Sequence, residues 1–270
     1  MSMSFFLPLL CFITVSFTLP ITPVVIKDTQ YRWPALISQP GVKLLGETCY
    51  ESLLERFEIT NISCLKLAIS KALGFGIVVG GAIVKIPQII TILRGRSALG
   101  LSLASFVMET SAYEIVLIYN TRLHNPFSTY GEVLFMTAQN ILISLLIPYY
   151  QSRNYAYMAG LLCYFLAGFA FLEVIPAWLM SVLYALQIPI GLASKIPQIR
   201  ANYLNQSTGQ LSVFAVLNYF AGTTARAFTT WTELDDPIML GGNLLASVLN
   251  GILVIQLIMY WKKPPVPKVD

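Results

Sequence analysis

The pentapeptide Lys85-Ile86-Pro87-Gln88-Ile89 returns as Lys195-Ile196-Pro197-Gln198-Ile199, 110 residues further on, each time near the end of an apolar run. The blocks 85–102 and 195–212 also share Ser97/Ser207, Leu101/Leu211 and Ser102/Ser212, so eight of eighteen positions are identical. A proline within an apolar helix is costly, because it removes an amide donor and its ring collides with the carbonyl four residues earlier. Two such features at a fixed offset mark a duplicated unit, and a repeat constrains the architecture before any single residue is interpreted.

Of the 270 residues, 56% are hydrophobic and only 11% charged, against about 25% charged in a soluble domain. Mean hydropathy is +0.68, and several apolar stretches approach the ~20 residues that one helix needs to cross a bilayer. The expected class is an all-α polytopic membrane protein with spans near 68–93, 99–120, 131–150, 155–173, 176–199, 211–231 and 239–261. Three helices return the chain to the opposite side, so a fourth must cross before a second trio can begin in the first trio's orientation. Seven transmembrane helices then form two parallel three-helix-bundle repeats (68–150 and 176–261) joined by a linking helix (155–173). Residues 1–67 are an apolar segment with a mostly lumenal lead-in, and 262–270 a cytosolic tail.

Charge placement sets the expected orientation. Arg94, Arg96, Arg153, Arg200, Lys262, Lys263 and Lys268 follow the odd-numbered spans, while the opposite connections carry Arg122 against Glu132, Glu173, Glu233, Asp235 and Asp236. By the positive-inside rule the C-terminus is cytosolic and the first span starts on the lumenal side. The basic residues are scattered singly, which argues against a nucleic-acid partner. Residues 5–19 are apolar but lack a basic flank and a small-residue cleavage site, so this segment is either a signal sequence or an extra span. Cys49 and Cys64 share the lead-in and could form a disulfide; Cys11 and Cys163 lie in apolar runs. Asn61-Ile62-Ser63 is a formal glycosylation sequon close to the first span. His124 is the sole histidine, and no cluster with metal-ligand spacing or cofactor motif is present.

The chemistry is concentrated in a few polar groups at membrane depth. Pro87 and Pro197 free the carbonyls of Ile83 and Ala193, with Gln88 and Gln198 supplying amides beside each break. The expected result is a flexible kink that a ligand can approach; a static kink near a helix end is the plainer alternative. Lys85 and Lys195 precede the prolines, where each can snorkel to the headgroups. As a matched pair they would place two ammonium groups at a cavity mouth, suited to a phosphate. Ionisable residues within spans are rare and usually functional or paired, which singles out Glu109, Glu114 and Arg226. Judged on depth alone, Glu114 is the expected partner of Arg226, leaving Glu109 to face a cavity with Tyr113. The candidate ligand-binding residues are therefore Lys85, Pro87, Gln88, Glu109, Lys195, Pro197, Gln198 and Arg226, with no catalytic residue among them. Asn218, Gln139 and Asn250 are weaker candidates.

The doubled Pro-Gln and the parallel trios resemble the PQ-loop family, distant relatives of the SWEET sugar transporters. Within that family the chain is most similar to the mannose-P-dolichol utilization defect 1 branch. The resemblance runs over residues 46–263. It rests on Cys49-Tyr50, Cys64-Leu65-Lys66, Ser70-Lys71, Lys85-Ile86-Pro87-Gln88, Gly100-Leu101-Ser102 with Glu109, and Pro126-Phe127-Ser128 with Gly131-Glu132. Further on it is carried by Thr208-Gly209-Gln210-Leu211-Ser212, Arg226 with Phe228-Thr229, Asp236-Pro237, Asn250-Gly251 and Tyr260-Trp261. The resemblance implies a multi-pass protein of the endoplasmic reticulum that is not an enzyme. Such a protein is needed for the use of dolichol-phosphate-mannose and dolichol-phosphate-glucose in N-glycan precursor and glycosylphosphatidylinositol-anchor assembly. Its partners would be membrane lipid, dolichyl-phosphate-linked sugars and lumenal glycosyltransferases. Residues 1–45 and Asn218 depart from the family pattern. The fold also admits an alternating-access transporter of a small soluble sugar or amino acid. A glycosyltransferase using the acidic loop Glu233-Leu234-Asp235-Asp236 is a distant third reading.

Overall fold

The computed structural model describes residues 32–98, 101–193, 195–208 and 213–260. The apolar segment 1–26, the Gly100-Leu101 and Gly209–Ser212 motif positions in part, and the tail 262–270 lie outside the described residues. The chain divides into two compact units, residues 1–56 and 57–270.

In the first unit, α1 (Ala35–Leu45) and the short α2 (Glu47–Tyr50) are followed by one π turn, Glu51–Glu55. Tyr50 is fully buried here with its ring against Gly41, and the backbone N–H of Arg32 donates to the Glu55 carboxylate. Cys49 and Cys64 are both disulfide-bonded, while Cys163 is an exposed thiol.

The second unit is helical throughout its described residues. Its elements are α3 (Ile62–Ile83), α4 (Ile86–Gly95), α5 (Leu103–Arg122), α6 (Gly131–Gln151), α7 (Tyr155–Val174), α8 (Ala177–Ala193), α9 (Lys195–Asn205), α10 (Val213–Glu233) and α11 (Pro237–Met259). The first helix begins at Ile62 rather than 68 because Asn61 caps it, its side-chain oxygen accepting from the Cys64 N–H at 3.3 Å. The second begins at Leu103 rather than 99 because Ser102 caps it in the same way. Asp236 accepts from the Ile238 and Met239 N–H groups ahead of Pro237 at the first helical turn, which fixes the start of α11.

Among the described residues, five helical stretches are long and apolar enough to cross a membrane: Ile62–Gly95, Gly131–Gln151, Tyr155–Val174, Ala177–Asn205 and Pro237–Met259. Helices α5 and α10 have the length, at 20 and 21 residues, but carry Glu109, Glu114, Arg226 and several hydroxyl side chains. These two are second in their trios, so polarity is concentrated at the same place in both repeats. Large apolar side chains such as Val79, Ile83, Trp178, Ile190, Ile255 and Ile258 are exposed. In water such a surface would associate; in a bilayer it is the lipid-facing side.

Packing order follows from the helix contacts. In the first repeat α6 packs against both α3 and α5, so the third helix of the trio lies between the other two; in the second, α11 packs against α8, α9 and α10. Helix α7 packs on α5 and α6, and the Leu172 and Ile175 carbonyls at its end accept from the Arg122 guanidinium. The repeats meet at two seams, α3 against α10 and α5 against α8. Apolar clusters fill the trios: Ile89, Ile92, Ile143, Leu146 and Ile147 in the first, Val216, Leu253 and Leu257 in the second.

Candidate functional site

The first helix is interrupted where the proline requires it. Val84 and Lys85 form a turn between α3 and α4, with Pro87 in the first turn of α4. The Lys85 N–H leaves the helical ladder and donates to Gln139 Oε1 of α6 at 3.0 Å. Gln139 Nε2 donates in turn to the carbonyls of Gly81 (2.9 Å) and Ala82 (3.1 Å). Backbone groups at membrane depth must find protein partners, and a single amide on the third helix satisfies both sides of the break. The amide that closes the break is therefore Gln139, not the adjacent Gln88, which is half-buried beside an exposed Pro87.

Lys85 is not a free cation. Its Nζ pairs with Glu109 Oε2 at 2.7 Å, and Tyr113, one turn along α5, donates its hydroxyl to Glu109 Oε1 at 2.7 Å. Asn140 of α6 is fully buried beside the Glu109 carboxylate. In the second repeat, the residue 110 positions after Glu109 is Tyr219, and the Lys195 ammonium lies over that ring, 4.6 Å from its centroid. Tyr219 also acts electrostatically on Tyr113 of the first repeat. Pro197 is exposed and Gln198 half-buried, as in the first repeat, and Ser194 ahead of them lies outside the described residues.

A second polar cluster fills the α3–α10 seam, about 20 Å away along α3 from Lys71 to Lys85. Lys71 Nζ pairs with Glu233 Oε2 at 2.6 Å, and the Ser70 and Ser128 hydroxyls donate to the same carboxylate at 2.6 and 2.8 Å. The Glu233 side chain is 1% exposed, so this is a desolvated network. Arg226 donates to the Ser128 carbonyl at 3.1 Å and pairs with Glu132 of α6. Gly74 and Gly81 make room for this approach: a Cβ at Gly74 would lie 2.7 Å from the Ser128 carbonyl oxygen, and one at Gly81 would collide with Glu132.

The expected Glu114–Arg226 pair is therefore not formed. Glu114 is 2% exposed, makes no ion pair among the described residues, and packs against Gly168 of α7. The physical reason is direction around the helix. Five residues at 100° each carry Glu114 about 140° round α5 from Glu109, so it faces α7 rather than the other repeat. Nor do the two lysines form a matched ammonium pair, since Lys85 is neutralised by Glu109. In the acidic loop, Glu233 and Asp236 are engaged structurally, and Asp236 accepts from the Tyr119 hydroxyl at 2.7 Å. Among the described residues no group of three or more His, Cys, Asp or Glu is arranged to hold a metal.

Asn140 was not among the sequence candidates, although the signal was present: the 110-residue offset leads from Asn250 directly to it. Both are buried, and Asn250 donates to the Thr223 hydroxyl at 3.4 Å.

Two helical trios with the same internal packing, membrane-length apolar helices and ion pairs buried between them define a multi-pass membrane protein built by duplication. Residues 69–129 and 179–239 each match the PQ loop repeat, and the two matched segments start 110 residues apart. The chain thus carries two PQ loop repeats. It is 26% identical over 186 residues to solute carrier family 66 member 3 of Homo sapiens, an alignment covering 67% of this chain and 89% of that one.

Proposed function

We propose that this protein belongs to the PQ-loop family and spans the membrane of the endoplasmic reticulum seven times, with α5 and α10 as its second and sixth spans and the C-terminus cytosolic. Its role is to bind, present or help flip dolichyl-phosphate-linked mannose and glucose for lumenal glycosylation, without catalysing a transfer itself. One observation carries the reading. Ser70, Lys71, Ser128, Glu132 and Arg226 are scattered over some 150 positions of the sequence and carry the resemblance to the mannose-P-dolichol utilization defect 1 branch. In the fold they form one connected network at the α3–α10 seam. Lys85 and Glu109, from the same set, pair between the first two helices of the first repeat. Charged groups inside a bilayer are expensive, and they persist where they pair or meet a ligand.

The test is reconstitution of purified protein with short-chain dolichyl-phosphate-mannose, with binding and transbilayer movement measured separately. Binding, with or without movement, supports the reading. Absence of binding, together with normal dolichol-linked mannosylation in cells lacking the protein, rejects it.

A second reading is an alternating-access transporter of a small soluble sugar or amino acid. It is favoured by the relative named as a solute carrier and by the matched Pro-Gln pairs. Uptake of a free solute into proteoliposomes, abolished when both Pro-Gln pairs are replaced, would promote it over the first.

A further inference from the structure

The two lysines that open the Pro-Gln motifs are equivalent in sequence and unequal in surroundings. Lys85 has a carboxylate at 2.7 Å, which itself receives the Tyr113 hydroxyl, so the first-repeat half of the site is electrically balanced. At the position equivalent to Glu109 the second repeat has Tyr219. Lys195 lies over that ring at 4.6 Å and makes no ion pair among the described residues. An aromatic face stabilises an ammonium by induced and quadrupolar attraction but does not cancel its charge. Taken together, the two lysine positions therefore leave one positive charge without an ion-pair partner among the described residues, on the second repeat. Lys195 is half-buried, and Tyr219 is 60% exposed, so the cation can be reached.

We infer that Lys195, backed by Tyr219, is the seat of the negatively charged part of the ligand, a phosphate-bearing group, and that the site is polarised rather than two-fold symmetric. The uncharged, hydroxyl-bearing part then lies on the first-repeat side, at Glu109 and Tyr113. This assignment deepens the reading given above and rests on it. The shared ligand chemistry is a phosphate, which a lipid headgroup and free phosphate both supply.

The test uses full-length protein in nanodiscs and three probes: a short-chain isoprenyl phosphate, the uncharged isoprenol of the same length, and inorganic phosphate. A hydrogen bond to a charged group is worth about 1.5–3 kcal/mol, so Lys195→Gln should weaken isoprenyl-phosphate binding about tenfold or more. Tyr219→Glu, which recreates the first repeat's ion pair, should do the same without removing the lysine. Lys195→Arg should restore binding, and Lys85→Gln should weaken it less than Lys195→Gln does. Isoprenol binding should not distinguish any of these proteins, and thermal unfolding of each variant in detergent shows which are folded. Competition by inorganic phosphate identifies free phosphate as the ligand, and its failure to compete identifies the lipid headgroup; the seat stands in both cases. Equal isoprenyl-phosphate binding by wild type, Lys195→Gln and Tyr219→Glu overturns the seat, as does a larger loss from Lys85→Gln. Lysine-dependent binding with normal dolichol-linked mannosylation in Lys195→Gln cells removes the dolichol reading and leaves the seat. Defective mannosylation with lysine-independent binding does the reverse.

Discussion

The two seams between the repeats are related by the same 110-residue offset, yet they are built from different chemistry. At the α3–α10 seam Lys71, Ser70, Ser128 and Glu233 form a desolvated ion-pair network with Arg226 and Glu132 alongside. At the α5–α8 seam Tyr184 stands where the offset puts Gly74, and Tyr119 where it puts Thr229. Their rings stack with centroids 4.1 Å apart, inside a cluster of Ile118, Leu172, Ile175, Met180 and Met239. Duplication fixed the helix arrangement, and each seam was then filled independently. The charged seam depends on both members of every pair, because a stranded charge in a dry site is far costlier than a lost contact. The aromatic seam holds by area and shape, and tolerates single changes better.

The sharpest way to break this contrast is Glu233→Ala. It leaves Lys71 buried without its partner and should cost about 3–5 kcal/mol, read as a fall in thermal stability in detergent. Adding Lys71→Met should recover a substantial part of that loss; if the double variant is no more stable than the single, the ion pair is not what holds the seam. Gly81→Ala tests the close approach beneath it. The added methyl collides with Glu132, and overpacking of this kind costs about 1–3 kcal/mol, whereas Gly80→Ala, which meets nothing within 4 Å, should be neutral. Gln139→Leu strands the Lys85 N–H and the Gly81 and Ala82 carbonyls, for a loss of about 1–3 kcal/mol. Hydrogen exchange at the Lys85 amide should rise in that variant; unchanged protection would show that the helix closes the gap by itself. Tyr119→Phe is the mildest change. It removes the hydroxyl donated to Asp236 but keeps the ring stack, so the expected loss is about 0.6 kcal/mol, the average for interhelical hydrogen bonds in membranes. A loss as large as that of Glu233→Ala would erase the distinction between the seams.

Much of the architecture was legible because the repeat is written in the chain. The offset between the Pro-Gln motifs recurs as the offset between the matched repeats, and the apolar runs gave helices close to where they stand. Packing order was not legible. Nothing local in residues 131–150 says that the third helix of the trio lies between the first two, and that position is what brings Gln139 to the break and Glu132 to Arg226. Depth along the chain ranked Glu114 above Glu132 as the partner of Arg226. Depth ignores direction around the helix, and the 140° between Glu109 and Glu114 decides which of them can face the other repeat. The difference between Lys85 and Lys195 was present in the sequence as Glu109 against Tyr219. It became readable once the fold showed that each lysine reaches the second helix of its own trio.

The three hydrogen bonds that Gln139 makes to the break carry a mechanical consequence. They fasten the end of α3 and the start of α4 to the same point on α6, so the two pieces of the first helix are splinted across their joint. A bend at Pro87 cannot occur without either pulling α6 along or tearing that splint, which would strand backbone groups in the bilayer. The first trio thus resists folding on itself and moves as one body. Any passage of a ligand between the repeats has to be opened by sliding or tilting one trio against the other, with the charged seam as the latch that must release.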